Sequence, residues 1–325
     1  MYQKLAGKRF DYSHSKRLAR YYASKVEEKI KKEKFDLIFA PAASTLVAYL
    51  NTSVPVISLS DSTVARMIGY YPTYTDLTKK SIKQANEIER RNIEKSAVVL
   101  YPSQWAAQSA IHDYGAPKNK IKVIPLGANL LQIPEINSLN FTKSMDEIHF
   151  LFLGVEWERK GGPLVLKTIQ ILRNNGINAF LTICGCTPEI TKEKHITIIP
   201  FINKNTKEGE EKIAKLFHKS HFLFLPSKAE CFGIVFCEAS AFGVPSLTND
   251  TGGIGGAVVD GINGFKIKNP SPEAFSELIS EIIQSSEKYR ELAKSSRHYF
   301  EEKLNWKSWM KEVTPIIEKI ITVQK

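Results

Sequence analysis

The chain is poor in cysteine and has no long hydrophobic run. Its 325 residues include only four cysteines, Cys184, Cys186, Cys231 and Cys237. Their spacings, C-x-C and C-x5-C with no histidine pair nearby, do not match a zinc site and suit free thiols in a reducing cytoplasm. We expect no signal peptide before the body of the chain, and no apolar run approaches the roughly 20 residues that span a bilayer. We therefore expect a cytoplasmic protein without a bound metal.

Acidic residues are scarce relative to basic ones. Lys and Arg number 45 against 34 Asp and Glu, which gives a net charge of +11. This excess favours anionic partners such as nucleotide phosphates, anionic lipids or nucleic acid, although scattered surface lysines would give the same total. A nucleic-acid binder needs basic residues clustered with aromatics on one face, and no such cluster occurs. We expect no nucleic-acid partner, and peripheral contact with the inner face of an anionic membrane stays an open alternative.

Short apolar runs alternate with helical patterns in the first part of the chain. Leu18, Tyr22, Val26 and Ile30 recur every four residues and predict one helix stripe. This alternation predicts an α/β fold with a parallel sheet covered on both faces. The runs that predict buried strands are Phe35–Ala40, Val54–Leu59, Ala97–Tyr101 and Ile121–Pro125.

A polar stretch, residues 129–147, separates this series from a second one and is the candidate linker. Ser271 and Pro272 later open a helix as its cap and first residue, and Trp306–Ile321 predicts a final amphipathic helix. The second series predicts a complete doubly wound domain. Its predicted strands are Ile148–Gly154, Ala179–Gly185, His195–Phe201, Phe222–Pro226 and Val244–Thr248.

The strongest chemical signal is the segment from Glu230 to Glu238, which follows a predicted strand. A helix is expected to begin near Gly233, and ligands of open α/β sheets bind at the carboxyl ends of strands. The N–H groups of Phe232, Gly233 and Ile234 would then be available to a phosphate or a sugar hydroxyl. Two carboxylates suit sugar and ribose hydroxyls. The alternative is a pair of surface glutamates beside an apolar helix.

A second segment between strand and helix runs from Gly154 to Gly162. Gly154 leaves room at the strand end, and Arg159 and Lys160 bring two cations to the same rim. Fixed cations can neutralise a departing nucleotide diphosphate without a metal; the alternative is a basic helix start on the surface. A glycine-rich loop, residues 249–256, follows a third strand. We expect the three loops to converge on one crevice.

Residues 97–323 resemble the glycosyltransferase family 4 group of GT-B enzymes, the glycosyl transferases group 1. The resemblance implies two Rossmann-like doubly wound domains facing across a cleft. The domains would be an acceptor-side domain over residues 1–130, a nucleotide-sugar-binding domain over 131–305 and a terminal helix over 306–325 that crosses back. Only about four strands are predicted in the first domain and no early glycine-rich loop occurs, so we expect it to be incomplete. The matching motifs lie in residues 123–129, 152–162, 226–245, 251–253 and 260–264.

The resemblance also implies roles for individual residues. Arg159 and Lys160 would hold the diphosphate of the sugar donor, and Glu238 would bind its ribose hydroxyls. Glu230 and the N–H groups of Phe232, Gly233 and Ile234 would hold the transferred sugar, where Gly154 leaves room. These roles make Arg159, Lys160 and Glu230 the candidate catalytic residues.

The acceptor side is less well marked. Family members often place a histidine in a first-domain loop near the transferred sugar, and residues 58–62, at the corresponding place, contain none. Asp61 is the candidate to take part of that role, with a helix cap as the alternative. His14, in a polar segment, is the second candidate, with a solvent-exposed histidine as the alternative.

The resemblance thus implies a retaining, metal-independent hexosyltransferase of polysaccharide biosynthesis. It would move a sugar from a nucleotide-diphosphate sugar to a hydroxyl of a saccharide or lipid-linked acceptor, with no cofactor besides that co-substrate. The alternative is a catalytically impaired nucleotide-sugar-binding subunit of a glycosyltransferase complex. A different GT-B enzyme, such as a sugar-nucleotide epimerase, would lack the combination of the Arg-Lys pair with the two glutamates.

Overall fold

The chain folds as two compact units in the computed structural model, which describes residues 4–5 and 7–322. The first unit runs to Pro125 and includes the chain from Met310 onward, and the second is Leu126–Trp309. Each unit contains one parallel sheet. The domain boundaries expected at residues 130 and 305 stay predictions.

The first unit is built on a four-stranded parallel sheet in the order β3-β4-β5-β6. All four strands expected here are confirmed, whereas the short antiparallel pair β1–β2 was not predicted. The elements are β1 (Lys4–Leu5), β2 (Lys8–Arg9), α1 (Lys16–Ile30), β3 (Ile38–Pro41), α2 (Ser44–Val47), β4 (Val56–Leu59), α3 (Val64–Met67), α4 (Lys79–Lys95), β5 (Val98–Tyr101), α5 (Gln104–His112) and β6 (Ile121–Val123).

Helix α1 buries small residues rather than the large ones expected. It begins after Ser15, whose side chain accepts a hydrogen bond from the Leu18 N–H. Its fully buried residues are Ala19 and Ala23, while Tyr22 is exposed, so the predicted stripe is wrong at that position. Alanine allows close approach, and α1 packs against α2 and α4 through this face.

Glu89 on α4 is a buried carboxyl, 3% exposed. Burial raises the pKa of Glu89 to about 7, although the nearby His14 acts to lower it. The folded state therefore favours the neutral acid, and its stability falls as pH rises from the unfolded pKa through about 7. Glu89→Gln stays neutral and should be about 3 kcal/mol more stable than the parent near pH 8.

Urea unfolding at about pH 5 and pH 8 checks this expectation. Glu94 is an exposed glutamate on the same helix, so Glu94→Gln is the matched control and should keep the parent's pH dependence. An equal fall in stability with pH for the parent and Glu89→Gln would show that Glu89 does not titrate in this range.

The second unit is built on a six-stranded parallel sheet in the order β12-β11-β10-β7-β8-β9. The five strands expected here are confirmed. Edge strand β12 was missed because it carries only two large apolar residues. The elements are β7 (Ile148–Leu153), α6 (Gly162–Asn174), β8 (Ala179–Cys184), β9 (Ile196–Ile199), α7 (Lys207–Lys219), β10 (Phe222–Phe224), α8 (Ile234–Ala241), β11 (Ser246–Asn249), β12 (Gly264–Ile267), α9 (Pro272–Ile283), α10 (Ser286–Glu302) and α11 (Trp306–Thr322), which continues into the first unit.

The strand order of this sheet reverses between β7 and β10. Successive strands run outward from β7 through β8 to β9, and the chain then returns to place β10 on the other side of β7. In doubly wound sheets the ligand crevice lies outside the carboxyl ends of the two strands at such a reversal. A ligand site is therefore expected at the loops that follow β7 and β10.

Two further features of the described chain concern the linker and the membrane. The polar segment 129–147 has no regular element in the structure other than the 3-10 turn Ile136–Ser138. None of the helices within residues 4–5 and 7–322 has both the length and the apolar character that a bilayer span requires.

Candidate functional site

The loops after β7 and β10 are joined at the reversal of the sheet. The Lys228 N–H donates to the Arg159 carbonyl oxygen at 2.8 Å. Gly161 has a φ of 83°, and a Cβ there would lie 2.1 Å from the Pro226 carbonyl oxygen. Only glycine permits both this backbone conformation and this close approach.

Three of the predicted site residues meet at this junction. The Lys160 ammonium donates to Oε2 of Glu230, and both side chains are largely buried. Nη1 of Arg159 lies 3.9 Å from the same oxygen and donates to the Ala229 carbonyl oxygen at 2.7 Å. The structure therefore brings Glu230 to Arg159 and Lys160, although Glu230 lies 70 positions after Lys160 in the sequence.

The guanidinium of Arg159 is also held by a residue that the sequence reasoning missed. Its Nε and Nη2 donate to the two carboxylate oxygens of Glu156 at 2.6 and 2.9 Å. This fork fixes the orientation of the guanidinium, and the hydrogen bonds from Arg159 lower the pKa of Glu156. The spacing of three residues between Glu156 and Arg159 was the available signal, since it places both on one side of a helical turn.

Glu238 is a second buried carboxylate. It lies in the second turn of α8 with its side chain 3% exposed, and Nζ of Lys204 donates to its Oε1 at 2.5 Å. Burial raises the pKa of Glu238, whereas Lys204 and a hydrogen bond from the Asn129 N–H oppose that rise. Glu230 is buried as well, so the alternative of two surface glutamates is wrong.

The start of α8 leaves backbone donors unused. Gly233 is the cap residue, with a φ of 86°, and a Cβ there would lie 2.5 Å from the ring of Phe236. Within the chain that the structure describes, the N–H groups of Phe232, Gly233 and Ile234 donate no hydrogen bond. The ring of Phe232 is itself buried. This helix start can therefore offer three N–H groups to an anion or a hydroxyl.

Gly154 lies directly after β7, at a position with little space for a side chain. Its N–H donates to the Cys184 carbonyl oxygen at 2.9 Å. A Cβ on Gly154 would lie 3.3 Å from Cγ of Lys160, and one on Gly185 would lie 2.9 Å from the Gly154 carbonyl oxygen. Glycine at these two positions thus allows the ends of β7 and β8 and the Lys160 side chain to approach one another closely.

The glycine-rich loop after β11 is hydrogen-bonded to the loop after β10. Nδ2 of Asn249 donates to the carbonyl oxygens of Pro226 and Ser227 at 3.0 and 3.2 Å. The Gly253 N–H donates to the Glu230 carbonyl oxygen at 3.0 Å. These bonds confirm that the three predicted loops converge at one edge of the sheet.

The two acceptor-side candidates belong to the first unit. Asp61 is exposed, and the side chain of Thr63 caps α3, so the alternative that Asp61 caps a helix is wrong. Nδ1 of His14 lies 2.7 Å from Oδ2 of Asp11, and the His14 side chain is 16% exposed, so the exposed alternative is also wrong. Burial acts to raise the pKa of Asp11, but bonds from His14 and Ser13 bring it down to about 2. The acceptor roles stay predictions.

Comparison with known families agrees with this arrangement. Residues 136–299 match the family described as Glycosyl transferases group 1, and residues 4–131 match Glycosyltransferase Family 4. The chain belongs to the group 1 glycosyltransferases. The resemblance inferred from the motifs is thereby confirmed, and it extends to the first unit, where the sequence motifs were weak.

Curated relatives of this group 1 chain match only in part. It is 24% identical over 237 residues to D-inositol 3-phosphate glycosyltransferase of Paenarthrobacter aurescens, which covers 67% of this chain and 57% of that protein. It is 30% identical over 114 residues to an uncharacterized glycosyltransferase of Methanocaldococcus jannaschii, which covers 35% of this chain and 32% of that protein. The match thus spans about a third to somewhat over half of these relatives.

Solved structures show the fold of the group 1 chain. Sucrose-phosphate synthase from Thermosynechococcus elongatus aligns with a TM-score of 0.71 and 16% identity, over 93% of this chain and 78% of that one. Anabaena HepE in complex with UDP and glucose aligns with a TM-score of 0.65 and 16% identity, over 91% and 80%. The fold is GT-B with two Rossmann-like domains, as predicted.

Proposed function

We propose that this group 1 chain transfers a sugar from a nucleotide-diphosphate sugar to a hydroxyl of a saccharide or lipid-linked acceptor. The observation that carries the proposal is the pair of buried carboxylates, Glu230 and Glu238, on either side of a helix start with unused N–H groups. They lie at the reversal of a doubly wound sheet, where such folds bind ligands. Membership of the family supports the class of reaction.

Lys160 is the proposed group that stabilises the leaving diphosphate. In the structure the Lys160 ammonium is hydrogen-bonded to Glu230. When the ammonium binds the diphosphate instead, the Glu230 carboxylate can accept hydrogen bonds from sugar hydroxyls. Arg159 stands beside it with its guanidinium already oriented by Glu156. A cation that is already oriented, as the Arg159 guanidinium is, can stabilise charge as it develops on the leaving group.

The finer features of the reaction belong to the same proposal. The cations Arg159 and Lys160 support a metal-independent departure of the diphosphate, because they supply the positive charge that a metal would otherwise bring. The three N–H groups from Phe232 to Ile234 are suited to the transferred hexose. Attack of the acceptor on the face from which the diphosphate leaves would retain the configuration, and His14 and Asp61 are the proposed acceptor-side groups.

A thermal-shift panel tests the proposal. The probes are UDP, GDP, ADP and the glucose and mannose conjugates of these diphosphates. A ligand at about 100 times its Kd stabilises the native state by about 2.7 kcal/mol, which raises the Tm by a few degrees. We expect the nucleotides that share one base to raise the Tm of the parent protein. The same nucleotides should raise the Tm of Glu238→Ala much less. No shift with any probe would contradict a nucleotide-sugar site.

A further inference from the structure

Lys204 has no role so far, and its side chain contacts Glu238, one of the two carboxylates of the proposed ligand site. Its Nζ donates to Oε1 of Glu238, which follows it by 34 positions in the sequence. The Lys204 side chain is 43% exposed, whereas that of Glu238 is 3% exposed. A partly exposed ammonium therefore contacts a carboxylate that is almost completely shielded from solvent.

Lys204 lies in the loop between β9 and α7, and hydrogen bonds hold this loop on both sides of Lys204. Oδ1 of Asn203 accepts from the Asn205 N–H at 3.1 Å, and the Thr206 hydroxyl donates to the Asn203 carbonyl oxygen at 2.9 Å. A Cβ on Gly209 would lie 2.0 Å from that same carbonyl oxygen, so the loop packs directly on the first turn of α7. The backbone of Lys204 is thus fixed, and its side chain reaches Glu238 from a defined point.

The charge of Glu238 depends on few neighbours. Two groups favour the ionised form of this carboxylate: the Lys204 ammonium, from the loop before α7, and the Asn129 N–H. Beside Glu238 on α8, burial and the Glu238 charge raise the pKa of Cys237 well above its usual value, so that thiol stays neutral. On α10, which packs against α8, Arg297 is engaged with Glu301 and with the Ala241 carbonyl oxygen at 2.5 Å.

Without Lys204 the carboxylate would lose its charged partner. Burial disfavours the ionised form of Glu238, and one backbone N–H compensates that cost only in part. The carboxyl would then take up a proton at a higher pH, and a protonated carboxyl accepts hydrogen bonds from hydroxyls poorly. The Glu238 carboxylate would also lose the hydrogen bond from Lys204 that fixes its orientation.

We propose that Lys204 is a positioning residue that keeps Glu238 ionised and aimed at the ribose diol of the sugar donor. This inference rests on the proposed function, because it assigns Glu238 to the ribose. It makes Lys204 a determinant of the preference for ribonucleotides over 2′-deoxyribonucleotides. A lysine that served only to neutralise a buried charge for folding would not affect that preference.

Titration calorimetry with UDP, GDP, ADP and the 2′-deoxy forms of these diphosphates tests the role of Lys204. We expect the parent to bind the ribonucleotide about tenfold more tightly than its 2′-deoxy form, the value of one hydrogen bond to a charged group. In Lys204→Met the ribonucleotide should lose about tenfold in affinity, and the 2′-deoxy form, which offers Glu238 one hydroxyl instead of two, should lose less. The loss should grow as the pH falls, since removal of the ammonium raises the pKa of the buried Glu238 further.

Two further variants control this experiment. Lys212 on α7 is an exposed lysine that pairs with Glu208, so Lys212→Met removes the same charge away from Glu238 and should leave both affinities unchanged. Lys204→Arg keeps a cation and should restore most of the preference for the ribose form. The Tm of each variant shows that it is folded.

The outcomes separate the two proposals. Binding by the parent together with an equal loss for ribose and 2′-deoxy forms in Lys204→Met, or no loss at all, would overturn the role of Lys204 alone. Absence of binding of every diphosphate by both the parent and Lys212→Met would overturn the nucleotide-sugar site and this role with it.

Discussion

Replacing Lys160 with alanine is expected to lower the turnover of sugar transfer about 100-fold to 1000-fold. The charge on the diphosphate oxygens is greatest as the bond to the sugar breaks, so the loss should fall on kcat more than on the affinity for the nucleotide sugar. The substitution also leaves Glu230 without its ammonium partner, close to the leaving group. Steady-state kinetics with the nucleotide sugar selected by the thermal-shift panel provides the measurement.

Two comparisons make this experiment specific. Lys167 is an exposed lysine on α6, and Lys167→Ala should keep the parent's kcat. Combining Lys160→Ala with Glu230→Gln removes the unpaired carboxylate, so the double variant should lose less than the product of the two single losses. A variant Lys160→Ala with unchanged kcat and a raised KM would show that Lys160 stabilises the bound sugar donor and the transition state equally.

Replacing Glu238 with alanine is expected to weaken nucleotide binding about 100-fold, because an ionised carboxylate that accepts from two ribose hydroxyls makes two charge-assisted hydrogen bonds. The fold should tolerate the change, since the Lys204 ammonium that loses its partner is partly exposed and can be solvated. Calorimetric titration of the nucleoside diphosphate measures the loss. Glu273→Ala, which removes an exposed glutamate of α9, is the control. Unchanged affinity in Glu238→Ala would remove this residue from the site.

The sequence predicted the strands of both sheets well because each is a short apolar run between polar loops. Nine predicted strands are present, and Ser271 caps α9 as expected, with its side chain accepting from the Ala274 N–H. The order of the strands could not be read from the sequence, since it depends on the direction in which each crossover turns. That order is what places the loops after β7 and β10 together.

The candidate site was predicted where a motif is continuous and missed where partners come from distant loops. Arg159 and Lys160 are adjacent in sequence, and their position after a strand indicated the site. Lys204 lies in a polar loop with no motif of its own, and nothing in its surroundings points to Glu238. Tyr22 shows the opposite error, because a regular apolar spacing does not reveal that smaller residues form the closer contact.

The measurement that tests the central claim most directly is proton NMR of each nucleotide sugar of the panel, incubated with the parent protein and a mixture of saccharide acceptors. The account predicts that one sugar donor is consumed and that its anomeric signal is replaced by that of a new glycoside of the same configuration. It also predicts that this conversion slows about 100-fold or more in Lys160→Ala. Persistence of every sugar donor, or an equal rate in the parent and Lys160→Ala, would contradict the account.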